Sequence, residues 1–162
     1  MDSKILLETG TNELELLVFK VKGVSFGINV SKVGEIIKPC KVTPIPKSKP
    51  EVRGVMMPRD TLITVIDLKY VLFGEHSDED NVLHIITTFN NLNMSFMVEE
   101  VNNINRISWT EVLKPDNTLS DENGIITGIY KGNSEIVSIL DFEKIVSDIN
   151  QNFNCRRFFI IK

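Results

Sequence analysis

The sequence predicts a mainly β protein built from many short strands and a few short helices. Apolar and polar residues alternate with a period of two along most of the chain, and turns rich in Gly, Pro, Asn and Asp separate these segments. Only brief stretches show the period of a helix. With 162 residues, of which 42% are hydrophobic, the chain can bury a substantial core. This pattern favours small barrels over a parallel sheet.

The composition argues against several classes of function. The formal net charge is −4 and the isoelectric point is about 5.3, whereas a nucleic-acid-binding domain normally carries a basic face. Cys40 and Cys155 lie far apart without metal-ligand spacing, so we expect two reduced thiols and neither metal nor cofactor. No signal-peptide pattern and no apolar run near ~20 residues occurs, which predicts a soluble cytoplasmic protein that does not insert into a membrane.

The first predicted elements are a β-hairpin and a short helix. Apolar residues alternate with polar ones over about residues 14–30, on both sides of a glycine turn, which predicts the hairpin. The period then changes, because Val33, Ile36 and Ile37 fall at i, i+3 and i+4 before a proline. We expect an amphipathic helix of about two turns with Ile36 and Ile37 facing the core and Glu35 pointing elsewhere.

The middle of the chain predicts an irregular connection, a strand pair and a helix. Four prolines interrupt residues 39–50, which leaves at most an edge strand there. Val52–Met57 and Leu62–Ile66 are apolar runs on either side of a polar turn. Asp67 is placed to cap a helix over Leu68–Phe73, which a glycine ends.

The rest of the chain alternates loops and strands. Residues 75–81 form an acidic loop and residues 114–123 a polar one. The remaining predicted strands are Val82–Phe89, Met94–Val98, Val101–Ile107, Ile125–Tyr130 and Ile136–Leu140. Asp141 then caps a last helix, and the apolar face of that helix consists of Phe142, Ile145, Val146 and Ile149.

One internal echo suggests two similar halves. Residues 66–72 and 140–146 share the order strand end, Asp cap, apolar residue, two variable residues and two apolar residues, and both follow a predicted hairpin. Each half would then be a small barrel closed by a short helix. Because an Asp cap after a strand is common, the echo fits a true pseudo-repeat and a coincidence equally well.

No catalytic constellation emerges from the sequence. His76 lies in the acidic loop and His84 inside a strand, so we expect the first to be solvated and the second to be structural. The adjacent carboxylates Glu99 and Glu100 point to opposite faces of a strand. No phosphate-binding loop or nucleophile elbow is present. A protein-binding module is therefore favoured, with a small barrel-fold enzyme such as a hydrolase as the alternative.

Several motifs in order resemble the CheW-like family of bacterial chemotaxis. The family typically shows an "FGI" strand, a "KVxEI" segment and a central "GVxNLRGxxxPxxDLR" signature. Here these correspond to Phe26–Val30, Lys32–Ile37 and the stretch from Val52 through Arg59 to Leu68. A later "xVDxV" segment and a closing hairpin and helix complete a likeness over about residues 13–149.

The opening residues 5–15 and the turn Met57–Asp60 are most similar to the N-terminal domain of CheV, a CheW-like domain followed by a receiver domain. Residues 1–12 then form a lead, 13–150 the CheW-like domain with two intertwined barrel subdomains, and 151–162 a tail. This tail is far too short for a receiver domain.

The resemblance implies a fold of two small five-stranded β-barrels about a shared core. It also implies a non-catalytic adaptor that links the cytoplasmic tips of methyl-accepting chemoreceptors to the histidine kinase CheA. The family's receptor-binding positions map by motif onto Val33, Glu35 and Arg59. The motifs assign no single residue to the kinase contact. One departure concerns Asp60, which stands where the family has the Gly of its "RG" turn.

Overall fold

The computed structural model describes residues 12–115, 124–132 and 134–149. The predicted tail 151–162, most of the lead 1–12 and most of the polar loop 114–123 lie outside these residues. The described strands are β1 Glu13–Val21, β2 Val24–Asn29, β3 Glu35–Ile37, β4 Val52–Met56, β5 Ile63–Asp67, β6 Leu83–Phe89, β7 Leu92–Val98, β8 Glu100–Ser108, β9 Val112–Leu113, β10 Ile126–Lys131 and β11 Ile136–Leu140. The α-helices are α1, Leu68–Phe73, and α2, residues 142–149.

The strands form two sheets, which confirms the predicted mainly β class. The first sheet has the order β8-β1-β2-β11-β10-β9 and the second the order β3-β6-β7-β5-β4. The first sheet has six strands rather than five, because the two-residue strand β9 pairs with the outer edge of β10. At six residues, α1 falls far short of a membrane-spanning helix, and none of the other described helices qualifies as one either.

Both sheets are built in the same way. In the first, the antiparallel hairpins β1–β2 and β10–β11 are joined by a parallel pairing of β2 with β11, where Phe26 lies opposite Ser138. In the second, the hairpins β6–β7 and β4–β5 are joined by a parallel pairing of β7 with β5. A helix follows the inner strand of one hairpin in each sheet. The echo between residues 66–72 and 140–146 therefore belongs to a structural pseudo-repeat.

A single core joins the two sheets. Phe19 of β1, Phe96 of β7 and Phe142 of α2 are all fully buried, and the rings of Phe96 and Phe142 stack with their centroids 4.0 Å apart. Each sheet also encloses a smaller apolar cluster of its own, around Met97 in the second sheet and around Leu16 in the first. The two sheets thus share their largest hydrophobic contact. Truncating a buried Phe to Ala in such a contact typically lowers the free energy of unfolding by about 3–5 kcal/mol.

The helix predicted from Val33, Ile36 and Ile37 is wrong. A 3₁₀ turn over Val30–Lys32 is followed by strand β3, in which Ile36 is 39% exposed instead of facing the core. The physical reason is tertiary, since β3 finds an antiparallel partner in β6. A ladder satisfies more backbone groups than an isolated two-turn helix, and β-branched residues favour strands.

Candidate functional site

The structure brings together two of the three predicted site residues. Arg59 lies in the turn between β4 and β5, and Glu35 begins the edge strand β3. Nη2 of Arg59 donates a hydrogen bond to Oε1 of Glu35 at 2.5 Å, although 24 residues separate them. The side chains are 70% and 40% exposed, so the pair lies at the surface.

The turn that presents Arg59 depends on an unusual backbone conformation. Asp60 has φ of 53°, in the left-handed region that L-residues rarely adopt but that Asp tolerates better than most. This is the position at which the family has glycine. Asp60 therefore adopts a positive φ without glycine, and Arg59 stays within reach of β3.

Val33 lies two residues before Glu35, but its side chain has a different environment. Its backbone is extended, and its N–H donates to the Val30 carbonyl at 3.0 Å, which ends the 3₁₀ turn. The side chain is half-buried against the main core. Gly34 then donates its N–H to the Ile86 carbonyl at 2.7 Å and starts the ladder with β6. Val33 therefore contributes both to the core and, in part, to the surface beside the ion pair.

A buried polar network that motif reasoning missed anchors the opposite end of the same hairpin. The carboxylate of Asp67 is fully buried and accepts hydrogen bonds from the Ser77 N–H at 2.8 Å and the Ser77 hydroxyl at 2.7 Å. Nη1 of Arg53 donates to the same carboxylate at 2.9 Å, while Nη2 donates to Glu79 at 3.0 Å. Asp67 also caps α1 as predicted, by accepting from the Lys69 N–H at 3.2 Å.

The network keeps Asp67 ionised. Burial alone would raise the pKa of its carboxyl. The hydrogen bonds from Ser77 and Arg53 and the positive charge of Arg53 together outweigh burial, so that the pKa lies below its usual value. The acidic loop is accordingly not a purely solvated segment, because Ser77 is buried and Glu79 is paired. The only sequence signal for this network was the Arg of the "VRGV" strand.

The two histidines have structural environments. His84 is fully buried, its Nδ1 lies 2.7 Å from the Ser95 hydroxyl oxygen, and burial lowers its pKa, so the ring is neutral. This confirms its predicted structural role. His76 is about half exposed, as expected, but its ring stacks on Tyr70 with the centroids 4.6 Å apart. In the described part of the chain, no three His, Cys, Asp or Glu residues converge in a way that could hold a metal.

An apolar groove of about 560 Å³ lies beside the turn that carries Arg59. Strands β4, β5 and β7 form its floor, α2 forms one wall, and the proline-rich segment before β4 forms another. Its lining is Ile45, Pro46, Lys47, Ser48, Lys49, Val52, Val55, Leu62, Thr64, Ile66, Asn91, Leu92, Asn93, Met94, Val146 and Ile149. A groove of this size and character suits apolar side chains of a peptide or protein partner.

Comparison with known proteins gives a consistent result. The family model described as "CheW-like domain" matches residues 15–150. Chemotaxis protein CheV3 of Helicobacter pylori is 34% identical over 94% of this chain, which spans only 53% of that relative's length. Chemotaxis protein CheW of Thermotoga maritima is 29% identical over 88% of this chain and 94% of its own.

A solved structure has the same fold. It is the scaffolding protein TtCheW of Thermoanaerobacter tengcongensis, which matches with a TM-score of 0.71 at 22% identity over 79% of this chain and 88% of its own. At this identity the likeness concerns the fold alone. The family match, by contrast, extends over residues 15–150, most of the sequence. The chain therefore belongs to the family of CheW-like domains.

Proposed function

We propose that this chain is a non-catalytic adaptor that couples the tips of chemoreceptors to the histidine kinase CheA. Membership of the CheW-like family, with relatives named as chemotaxis proteins, supports this proposal. The adaptor would work in the cytoplasm, at arrays of membrane-bound receptors. Residues 13–150 would form the coupling domain, with its two sheets as subdomains.

We assign the receptor contact to the ion pair of Arg59 and Glu35, with Val33 beside it. The single observation that carries this assignment is that the two motif residues meet at the surface, Arg59 from the turn between β4 and β5 and Glu35 from strand β3. An exposed ion pair contributes only about 0–1 kcal/mol to folding, so its side chains can exchange partners at low cost. Charged groups at the edge of an interface mainly determine specificity and the rate of association.

The environments of the buried ionisable groups support a role without catalysis. Asp67 is saturated by donors from Ser77, Arg53 and Lys69, and it has no exposed surface. His84 is equally inaccessible. A general acid or base must reach a substrate, and neither of these groups can do so.

The test is co-sedimentation of purified variants with a chemoreceptor cytoplasmic fragment and CheA. We expect Arg59→Ala and Glu35→Lys to weaken receptor binding, while thermal stability changes by no more than about 0.5 kcal/mol, as for most surface substitutions. The matched control is Arg106→Ala. Arg106 is also an exposed arginine, and its Nη2 donates to Glu15 at 3.0 Å on the first sheet, far from the turn in sequence.

Receptor binding by Arg59→Ala and Glu35→Lys that equals the Arg106→Ala control would refute the site. A large loss of stability with binding unchanged would identify Arg59 as a structural residue. Failure of the unaltered chain to bind either receptor fragment or CheA would refute the adaptor function itself. The alternative of a small hydrolase would gain support only from turnover of a substrate by the purified chain.

A further inference from the structure

The four edges of the two sheets differ in how they are protected. Two of the described edge strands, β3 and β9, have only three and two residues. The outer edge of β4 is covered, because Thr43 and Val55 exchange backbone hydrogen bonds of 2.8 and 2.9 Å. By contrast, β8 is an edge strand of nine residues, and its only neighbour among the described strands is β1. Proteins normally shorten, cover or charge their sheet edges, since free backbone groups there pair readily with another strand.

The exposed middle of β8 is uncharged. The run Asn102–Asn105 contains no charged residue and no proline, and β8 as a whole contains no lysine. Ile104 lies in this run with 55% of its surface exposed, and Arg106 is the charged residue nearest to it in sequence. A β-branched apolar side chain on a long edge without charges favours the addition of a further strand. The edge of β8 is therefore a candidate interaction surface.

We propose that two copies of this chain pair along β8 as antiparallel strands, with the two-fold axis at Ile104. The sequence Asn103-Ile104-Asn105 reads the same in both directions, so residues of the same type meet in such a pair. Ile104 lies opposite the second copy's Ile104, and each Asn103 lies opposite an Asn105. Both contacts are favourable, because apolar side chains shield each other from water and a side-chain amide both donates and accepts hydrogen bonds.

The charges near the ends of β8 are compatible with this register. Arg106 lies opposite the second copy's Asn102, and Glu100 lies opposite Ser108, so no like charges meet. Arg106 also keeps a partner within its own chain, since its Nη2 donates to Glu15 at 3.0 Å. A register centred on Arg106 would instead place two guanidinium groups opposite each other. Charge complementarity therefore favours a register centred on the uncharged run.

We expect the pairing to be weak and closed. The register of β1 with β8 shifts between Val18 and Phe19, and this bulge leaves Asn102 without a partner on β1. Regular pairing is thus confined to the residues around Ile104, and we expect the buried area to fall below the ~1,200 Å² of stable complexes. Because each copy uses the same long edge, assembly stops at two chains.

This dimer goes beyond the proposed coupling function. Strand β8 belongs to the first sheet and contributes no residue to the Arg59–Glu35 pair, so a dimer presents two such pairs at once. Where many copies are held close together, a weak contact of this kind is strengthened by the high local concentration.

Sedimentation velocity of the 162-residue chain, from about 10 µM to about 1 mM, tests for the dimer. We expect the mean mass to rise from that of a monomer towards that of a dimer. Ile104→Lys places two like charges at the two-fold axis and should keep the protein monomeric throughout. The matched control is Leu113→Lys, at an apolar residue of similar exposure, 60%, on the short edge strand β9. This control should dimerise like the unaltered chain, and thermal unfolding verifies that both variants are folded.

Disulfide trapping tests the register. In a background of Cys40→Ser and Cys155→Ser, Ile104→Cys places a single thiol of each chain at the two-fold axis. Directly opposed residues of antiparallel strands have Cβ atoms about 4.5–5.5 Å apart, which a small adjustment brings to the separation of a disulfide. We expect Ile104→Cys to form an intermolecular disulfide at least about tenfold faster than Leu113→Cys at the same chain concentration.

Several outcomes would overturn the proposal. These are an unaltered chain that stays monomeric up to about 1 mM, a dimer that survives Ile104→Lys, and assembly beyond two chains. Equal rates of disulfide formation at positions 104 and 113 would also overturn it. Neither receptor nor kinase is present in these measurements, so their outcome is independent of the coupling test.

Discussion

The two halves of the molecule repeat one motif with different chemistry at its centre. In the second sheet, Asp67 ends β5 and caps α1, and its N–H donates to the Glu51 carbonyl at 2.8 Å. In the first sheet, Asp141 follows β11 and caps α2, and its N–H donates to the Ile125 carbonyl at 2.9 Å. Yet Asp67 is fully buried, whereas Asp141 is only half-buried.

A single position explains the difference. The register of both hairpins shifts at a residue directly before a glycine, which is Arg53 in the second sheet and Thr127 in the first. Arg53 reaches the carboxylate of Asp67, while the Thr127 hydroxyl donates to the Ile139 carbonyl at 3.4 Å. The same backbone motif thus supports an ionic network in one half and a simple cap in the other. The helix cap therefore depends on residues close together in the sequence, whereas the ionic network depends on residues far apart in it.

The largest expected effect comes from Asp67→Ala. This change removes the carboxylate and leaves the largely buried Arg53 guanidinium without its main partner. Breaking a buried pair in this way costs roughly 3–5 kcal/mol, and the low end applies here because Arg53 keeps contact with Glu79. Urea unfolding, followed by circular dichroism, measures the loss. A cost no greater than that of Asp141→Ala would remove the distinction between the two halves.

The intermediate effect is a dependence of stability on pH. Because the folded-state pKa of Asp67 is lowered, its contribution is fully present above the unfolded pKa of about 3.9 and is lost as pH falls through the folded value. We therefore expect the difference in unfolding free energy between the unaltered chain and Asp67→Asn to be constant near neutral pH and to shrink in acid. A difference that grows as the pH falls would contradict this sign.

The smallest effect is expected for Asp141→Ala. Its Oδ1 accepts one hydrogen bond, from the Lys144 N–H at 3.1 Å, so the substitution removes only a helix cap. Loss of such a cap typically costs about 1 kcal/mol. The same urea titration provides the measurement. A loss of 3 kcal/mol or more, on the scale of a buried ion pair, would mean that the first half contains a network equivalent to that of Asp67.

Sequence reasoning identified the family and the mainly β class correctly. The hairpins were predictable because alternation and turn residues are local signals, as in the pairing of β6 with β7 around Asn90 and Asn91, both of positive φ. The segment 33–37 was mispredicted because a short apolar run fits both the helical and the strand period. Its partner strand β6 lies some fifty residues further along the chain.

The candidate site was only partly predictable. The motif resemblance selected Arg59 and Glu35, but no spacing rule indicated that the turn residue Arg59 would pair with Glu35 of strand β3. The Asp67 network was missed because Arg53 and Ser77 lie 14 and 10 residues away, on opposite sides of Asp67 in sequence. A capping role already accounted for Asp67 at the local level, and the Arg of the "VRGV" strand did not by itself indicate a partner for it.

The sequence by itself determined the hairpins, the two Asp-capped helices and the echo between them, because each depends on residues close along the chain. Only the tertiary structure decided that the echo is a true pseudo-repeat, through the parallel pairings of β2 with β11 and of β7 with β5. The first of these joins residues more than a hundred positions apart, Phe26 and Ser138. Such pairings are selected by burial in a shared core, which a local pattern cannot specify.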